Sequence, residues 1–280
     1  MSRLIDDMLV VRELGQGAHT RVCLVRHAYN GEVFCRKSIT ADAPNWESQL
    51  RQLNNEYSVG RHNDHPSLRQ SLEFRQVRRR LRAVEAHLLL RYVAGVPLQQ
   101  WSAATKTSRV LRAFWRVADG LFQLHRRGFV HADLKPHNIL VSEGRRPVLI
   151  DFGQSCPMRH SKERIQGTAD YIAPEQVARE PLDARTDVFG LGATMHLIFF
   201  GRPAKTELNA SSVRGGGRIT IERPRLEGPE ESREAPPALL RLIEDCLQPD
   251  RDDRPESMER VKDRLELCLR QIARPAPRAN

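Results

Sequence analysis

His131-Ala132-Asp133-Leu134-Lys135-Pro136-His137-Asn138, followed after an apolar run by Asp151-Phe152-Gly153, is the stretch on which the rest of the chain is organised. It places a carboxylate, an ammonium, a carboxamide and a second carboxylate on one loop and the turn beyond it. Phosphoryl transfer uses that set: an acceptor for the incoming hydroxyl's proton, a cation at the moving phosphate, and ligands for a metal ion. Asp133 suits the first role and Lys135 the second. Asn138 and Asp151 offer the hard oxygen atoms that Mg²⁺ prefers.

Toward the N-terminus, residues 8–39 alternate apolar and polar with turns between, which predicts three antiparallel strands. Val10, Val11 and Leu14 lead into Gly15-Gln16-Gly17-Ala18-His19-Thr20-Arg21-Val22, where glycines let backbone amides approach a phosphate closely. Asn30-Gly31 is a tight hairpin signal, so Val33 to Ile39 returns as the third strand, carrying Lys37 between Cys35 and Ile39. Beyond Pro44, Trp46, Leu50, Leu53 and Tyr57 recur at helical spacing and predict a half-buried helix that carries Glu56. Residues 71–78 and 84–92 read as two more strands joined by the basic turn Arg78-Arg79-Arg80-Leu81-Arg82.

Ser108 to Arg127 puts Val110, Phe114, Val117, Leu121 and Leu124 on one helical face and stops at Gly128. Val188 to Phe200 is apolar but too short to span a bilayer, and reads as a buried helix. Leu239 to Leu247 and Met258 to Ile272 return to helical periodicity. Residues 202–236, with Gly215-Gly216-Gly217, read as loop, and residues 274–280 as a frayed tail.

The opening stretch resembles the catalytic loop and metal-binding turn of protein kinases, and further motifs follow in that family's order over roughly residues 8–270. The resemblance is to the Ser/Thr type, bacterial-like, with a catalytic domain only. It implies an α+β, bilobal fold: an N-lobe of five antiparallel strands plus one helix at about 8–92, a hinge at about 91–96, and a mainly α-helical C-lobe at about 97–270. Gly15, Gly17 and Val22 match the glycine-rich loop, with Thr20 in place of its third glycine. Lys37 matches the lysine that holds the α- and β-phosphates, and Glu56, 19 positions on, its helix partner. Cys35 and Leu140 would enclose the adenine from above and below, Leu90 would be the gatekeeper, and the Arg91, Tyr92 and Val93 backbone would bond the base.

By the same resemblance, Asp133 accepts or orients the hydroxyl proton, Lys135 neutralises the γ-phosphate, and Asn138 and Asp151 bind Mg²⁺, with Mn²⁺ as a substitute. Thr168, in Gly167-Thr168-Ala169-Asp170-Tyr171-Ile172-Ala173-Pro174-Glu175, braces Asp133 and Lys135 as in Ser/Thr-specific members. His131, Glu175, Asp187 and Arg254 are structural: Glu175 pairs with Arg254, and Asp187 anchors the catalytic loop's backbone. Two departures stand out. Ala132 occupies the place of the arginine that usually meets an activation-loop phosphate, and Arg164 the usual phosphorylated position. Gly60, four after Glu56, replaces a large apolar residue that packs on the Asp-Phe-Gly phenylalanine.

The implied activity is transfer of the γ-phosphate of ATP to Ser/Thr hydroxyls of a protein substrate. Two alternatives remain at this level: a catalytically inactive kinase-like scaffold, and a small-molecule or lipopolysaccharide kinase. The first usually lacks one of Lys37, Asp133, Asn138 and Asp151, all present here. The second usually lacks the Gly-Thr…Ala-Pro-Glu segment and the Arg254 partner.

Composition adds bounds. A hydrophobic content of 40% and charge of 29% are ordinary for a soluble globular chain. The net charge of +10 can steer acidic partners but does not determine a fold, and no recognition motif for nucleic acid accompanies it. Acidic residues at Asp6 and Asp7 stand where a secretory signal would have its apolar segment. Five cysteines without metal-ligand spacing fit a reduced, cytoplasmic setting. No feature of the sequence sets an oligomeric state.

Overall fold

Asn30-Gly31 reverses the chain as its composition predicts. Gly31 takes φ +71°, a conformation without steric cost only for glycine, and the Glu32 amide donates to Asn30 Oδ1 at 2.9 Å. The computed structural model describes residues 4–16, 20–80, 82–204 and 235–273. These divide into two units, one of residues up to Ala94 with Ile150–Ser155, the other of Gly95–Leu149 and the residues from Cys156 on. The segment Ile150–Ser155, assigned by sequence to the second lobe, thus groups with the first.

The first unit is a five-stranded antiparallel sheet of β1 (Met8–Gln16), β2 (Thr20–His27), β3 (Val33–Thr40), β4 (Ser71–Arg79) and β5 (Arg82–Arg91), in the order β1-β2-β3-β5-β4. Each face has its own apolar cluster, because successive strand residues point to opposite sides. Ile5, Met8, Cys23, Val25, Phe34 and Leu89 form one. Cys35, Ile39, Leu53, Ala86, Leu88 and Leu90 form the other, closed by Trp46, Leu50 and Tyr57 of α1 (Trp46–Gly60). Burying a leucine such as Leu53 contributes roughly 1.5–3 kcal/mol. Gly60 ends α1 where β4 crosses close behind it, and a Cβ there would land on Ser71 Oγ.

The second unit begins with β6 (Gly95–Pro97), α2 (Leu98–Ala103), α3 (Thr107–Arg126) and β7 (Phe129–Val130). It continues with β8 (Ile139–Ser142), β9 (Pro147–Leu149), β10 (Cys156–Pro157) and α4 (Pro174–Val177). Among the described residues it ends with the helices α5 (Ala184–Phe200), α6 (Pro237–Cys246) and α7 (Met258–Ala273). The α3 stripe of Val110, Phe114, Val117, Leu121 and Leu124 is fully buried. Every residue of α5 from Thr186 to Phe200 is buried, so this helix is apolar all round and forms the core of the unit. Asp183 caps its start by accepting from the Arg185 amide, and Gly201 ends it at φ +69°. Among the described residues no helix is long and apolar enough to cross a membrane. The expected loop at 202–236 falls mostly, and the expected tail at 274–280 wholly, outside the described residues.

One buried ion pair joins α4 to the segment before α7. Arg254 Nη1 and Nη2 lie 2.8 and 2.9 Å from the two oxygens of Glu175, with side-chain exposures of 0% and 3%. The remaining guanidinium donors go to Gln248 O at 2.7 Å, Pro249 O at 3.0 Å and Arg185 O at 3.1 Å, while Thr186 Oγ1 donates to Glu175. Both charges are tolerated inside because their hydrogen-bonding capacity is filled. Removing one partner strands the other, so Arg254→Leu should lower unfolding free energy by about 3–5 kcal/mol. The double variant Arg254→Leu/Glu175→Met should be less destabilised than the single one in urea titrations. Equal loss in both variants would remove the charge-stranding account.

Candidate active site

Strand period 2 turns Cys35, Lys37 and Ile39 toward α1. Helical period places Glu56 on the α1 face that meets them, beside Leu53. Lys37 Nζ therefore lies 2.6 Å from Glu56 Oε2, and 3.1 Å from Asp151 Oδ1. The second oxygen of Glu56 is taken by Arg69 Nη2 at 2.8 Å, a partner without any periodic signal in the sequence. Glu56 and Arg69 are buried, whereas the Asp151 side chain is 44% exposed. Burial alone would push Lys37 down. The carboxylates of Asp151 and Glu56 outweigh burial and the repulsion of Arg69, holding Lys37 above its ordinary value and so fully cationic near neutrality. Burial likewise opposes the charge on Arg69, and the Glu56 carboxylate leads the groups that raise it.

Asp151 has φ +67°, a left-handed conformation that Asp tolerates better than most residues and that persists where the surroundings hold it. Its Oδ1 accepts from the Gly153 amide at 3.4 Å. Three carbonyls of this turn, those of Phe152, Gly153 and Ser155, face the amide of Asn55, which the sequence did not single out.

The remaining nucleotide-site candidates of this unit fall on its sheet. Gly15 and Val22 pair across β1 and β2 beside a bulge, Val22 pairs with Lys37, and Cys35 with the fully buried Leu90. Gly17 lies outside the described residues. Tyr92 and Val93 follow β5, and the Arg91 amide donates to Gln70 O at 3.0 Å. Burial raises the Cys35 thiol above its ordinary value, against the pull of Arg69 and Lys37, so it is a packing group rather than a thiolate.

In the second unit the loop from His131 to Asn138 is hung from α5. Asp187 accepts from the His131 amide at 2.8 Å and the Ala132 amide at 2.9 Å, and its Oδ2 lies 2.8 Å from His125 Nε2. Burial would raise this carboxyl, but the His125 hydrogen bond leads a set of interactions that together keep it below its ordinary value. Ala132 takes φ +61° between those anchors, with its carbonyl accepting from Gln176 Nε2 at 2.9 Å. His131 is fully buried and its Nδ1 accepts from the Asp133 amide at 3.3 Å.

Three side chains then close a triangle. Thr168 Oγ1 donates to Asp133 Oδ1 at 2.9 Å, Lys135 Nζ donates to Asp133 Oδ2 at 2.8 Å, and Lys135 Nζ donates to Thr168 Oγ1 at 2.8 Å. Asn138 Nδ2 donates to Asp133 O at 2.8 Å. With its nitrogen so engaged, the amide offers its oxygen to a cation. Leu140 is half-buried on β8, opposite Pro97.

Among the described residues no three His, Cys, Asp or Glu side chains gather into a metal cage. The Asn138 amide oxygen and the part-exposed Asp151 carboxylate are each donors of the hard kind that Mg²⁺ takes alongside phosphate oxygens and water. The five cysteines are buried free thiols, and burial raises Cys156, three residues past Gly153, to about 11. This makes it a poor redox sensor at neutral pH.

The family model described as "Protein kinase domain" matches residues 8–265. Among curated proteins, the chain is 27% identical to an Aurora kinase of Candida glabrata over 71% of this chain and 56% of that one. It is 24% identical to an Aurora kinase of Saccharomyces cerevisiae over 85% of this chain and 64% of that one. To the serine/threonine-protein kinase PknB of Mycolicibacterium smegmatis it is 32% identical over 42% of this chain and 20% of that one. The chain thus spans less than two thirds of the length of these relatives. On a match that runs nearly from end to end, the chain belongs to the protein kinase family, among its serine/threonine members.

Proposed function

We propose that this chain transfers the γ-phosphate of Mg-ATP to Ser or Thr hydroxyls of protein substrates. The observation that carries this reading is the closed triangle of Asp133, Lys135 and Thr168, which fixes one carboxylate and one ammonium beside each other. Asp133 takes the hydroxyl proton, and Lys135 stabilises the charge on the transferring phosphate. Lys37, kept cationic by Glu56 and Asp151, holds the α- and β-phosphates. Asn138 and Asp151 would hold Mg²⁺, with Mn²⁺ as a substitute. The metal, when bound, screens the phosphate oxygens and orients the γ-phosphate for in-line attack.

On the family resemblance, the adenine is assigned to Cys35, Val22, Leu140 and the gatekeeper Leu90, and the phosphates to Gly15 and Gly17. Because the Arg91 amide is committed to Gln70, the base bonds to the Arg91 carbonyl and the backbone of Tyr92 and Val93. The stretch at about 91–96 is then the hinge of a catalytic domain running over about 8–270. Five free thiols favour a reducing, ATP-supplied compartment such as the cytoplasm.

The activation segment is tied down by backbone pairing and by a side-chain amide. β10 pairs with β7, the Arg159 amide donates to Leu182 O at 2.7 Å, and the Leu182 amide donates to His160 O at 3.1 Å. Gln176 Nε2 bridges the carbonyls of Ala132 and Gln166 at 2.9 and 3.2 Å. This supports activity that does not wait for activation-loop phosphorylation.

Three outcomes are expected. Asp133→Ala lowers kcat by about 10²–10⁴-fold while fluorescent-nucleotide binding stays near wild type; an unchanged turnover removes Asp133 from its role. Lys37→Met nearly abolishes transfer of labelled phosphate from ATP to a generic protein substrate. Transfer by the wild type to sugars alone would favour the small-molecule reading, and no transfer the scaffold reading. Phosphatase treatment leaves the rate within about twofold, well inside the change that activation-loop control produces; a large loss would show dependence on phosphorylation.

A further inference from the structure

One turn beyond Glu56 the helix has no side chain with which to brace the metal turn, since Gly60 stands there and Ser71 fills the space a Cβ would need. Contact with the turn comes from the residue before Glu56. Asn55 Nδ2 lies 2.6 Å from Ser155 O, 3.1 Å from Gly153 O and 3.2 Å from Phe152 O. Three acceptors around one atom identify it as the amide nitrogen. Its two hydrogens are shared among them, with the strongest bond to Ser155. The Ser155 amide donates to Phe152 O at 3.1 Å, so Asn55 holds a turn that is closed on itself. Phe152 is fully buried and Ser155 nearly so, a setting in which losing a hydrogen bond to a backbone carbonyl is costly.

We propose that Asn55 is a positioning residue of the phosphotransfer site: its amide fixes the backbone from Phe152 to Ser155 and, through it, the left-handed Asp151 that presents a carboxylate to the metal. Helix α1 then delivers two adjacent grips, Glu56 on Lys37 and Asn55 on the turn. The inference rests on the reading of Asp151 as a Mg²⁺ ligand. Residues that orient a metal ligand without touching the metal are commonly worth about 10–100-fold in metal affinity or activity. Asn55→Asp keeps the shape but sets a carboxylate against three carbonyl oxygens, while Asn55→Ala only removes the donor.

The test uses the full chain as wild type, Asn55→Ala, Asn55→Asp and, as control, Asn54→Ala, an exposed neighbour on the same helix. Two quantities are read: the Mg²⁺ concentration at half-maximal phosphotransfer with its kcat, and the gain in mant-ADP affinity when Mg²⁺ replaces EDTA. Both Asn55 variants should keep wild-type mant-ADP affinity in EDTA and an unchanged KM for the protein substrate. Their Mg²⁺ requirement should rise and kcat should fall, by about 10–100-fold in combination, with Asn55→Asp the worse. Asn54→Ala should match wild type.

The proposal is overturned if both Asn55 variants titrate with Mg²⁺ as wild type does. It is equally overturned if they lose only unfolding midpoint and turn over normally at temperatures where they are folded. Should Asn55→Asp fail to fold, Asn55→Ala decides. A wild type that transfers no phosphate, yet whose mant-ADP affinity responds to Mg²⁺, overturns the kinase reading alone. The clamp is then judged on whether Asn55→Ala weakens that response. A wild type that binds no nucleotide overturns both.

Discussion

Glu56 is a carboxylate with 2% of its side chain exposed, and the first unit is built around pairing both its oxygens. An isolated anion in that position would protonate or expel itself, because desolvation of a charge costs far more than folding can supply. Lys37 takes one oxygen and Arg69 the other, and Asp151 shares the lysine. The cluster holds two cations and two anions, so it is neutral as a whole and tolerates burial that none of its members would tolerate alone. Its four members come from β3, α1, the segment before β4 and the turn at Asp151. Electrostatic balance therefore sets the positions of a strand, a helix and the turn at Asp151 relative to one another within the unit.

The second unit solves a related problem with one carboxylate. Asp187 sits inside the apolar α5 and is held ionised by His125 and by two backbone amides of the catalytic loop. Those amides belong to His131 and to Ala132, whose φ of +61° costs on the order of 1–3 kcal/mol in a non-glycine residue. Such a conformation lasts only where several bonds determine it together. Asp187 grips the amide of Ala132 and Gln176 its carbonyl, so the residue is fixed at both ends. Asp133, next in the chain, inherits that precision.

Elements with a repeating pattern were legible before any coordinates. The strands to Ile39, the Asn30-Gly31 turn, α1, α3 and the buried α5 all follow from periodicity and turn chemistry, with ends that shift by a few residues. The pairing of Lys37 with Glu56, of Glu175 with Arg254, and the Thr168 brace followed from motif order. Arg69, Asn55 and Gln176 did not. Each acts through one long side chain on a partner fixed by tertiary structure, often a backbone carbonyl that carries no sequence identity at all. Asn55 reaches carbonyls 97 to 100 positions away, and a lone polar residue on a helix gives no sign of that. The grouping of Ile150–Ser155 with the first unit was hidden in part for the same reason, since Asn55 holds its carbonyls while Lys37 pairs with Asp151.

Both departures from the family pattern are met by the same device. Where an apolar side chain is missing at Gly60, Asn55 holds the turn by its carbonyls; where an arginine is missing at Ala132, Gln176 holds the loop and the activation segment by theirs. A neutral amide bonded to backbone differs from what it replaces in two ways. It is directional, so it selects one geometry where an apolar contact admits a range of them. It also carries no charge, so adding or removing a phosphate nearby changes its energy little, whereas an arginine in that place responds strongly to one. The turn after Asp151 and the loop before Asp133 are thus held at these two points by bonds that select a geometry and carry no charge.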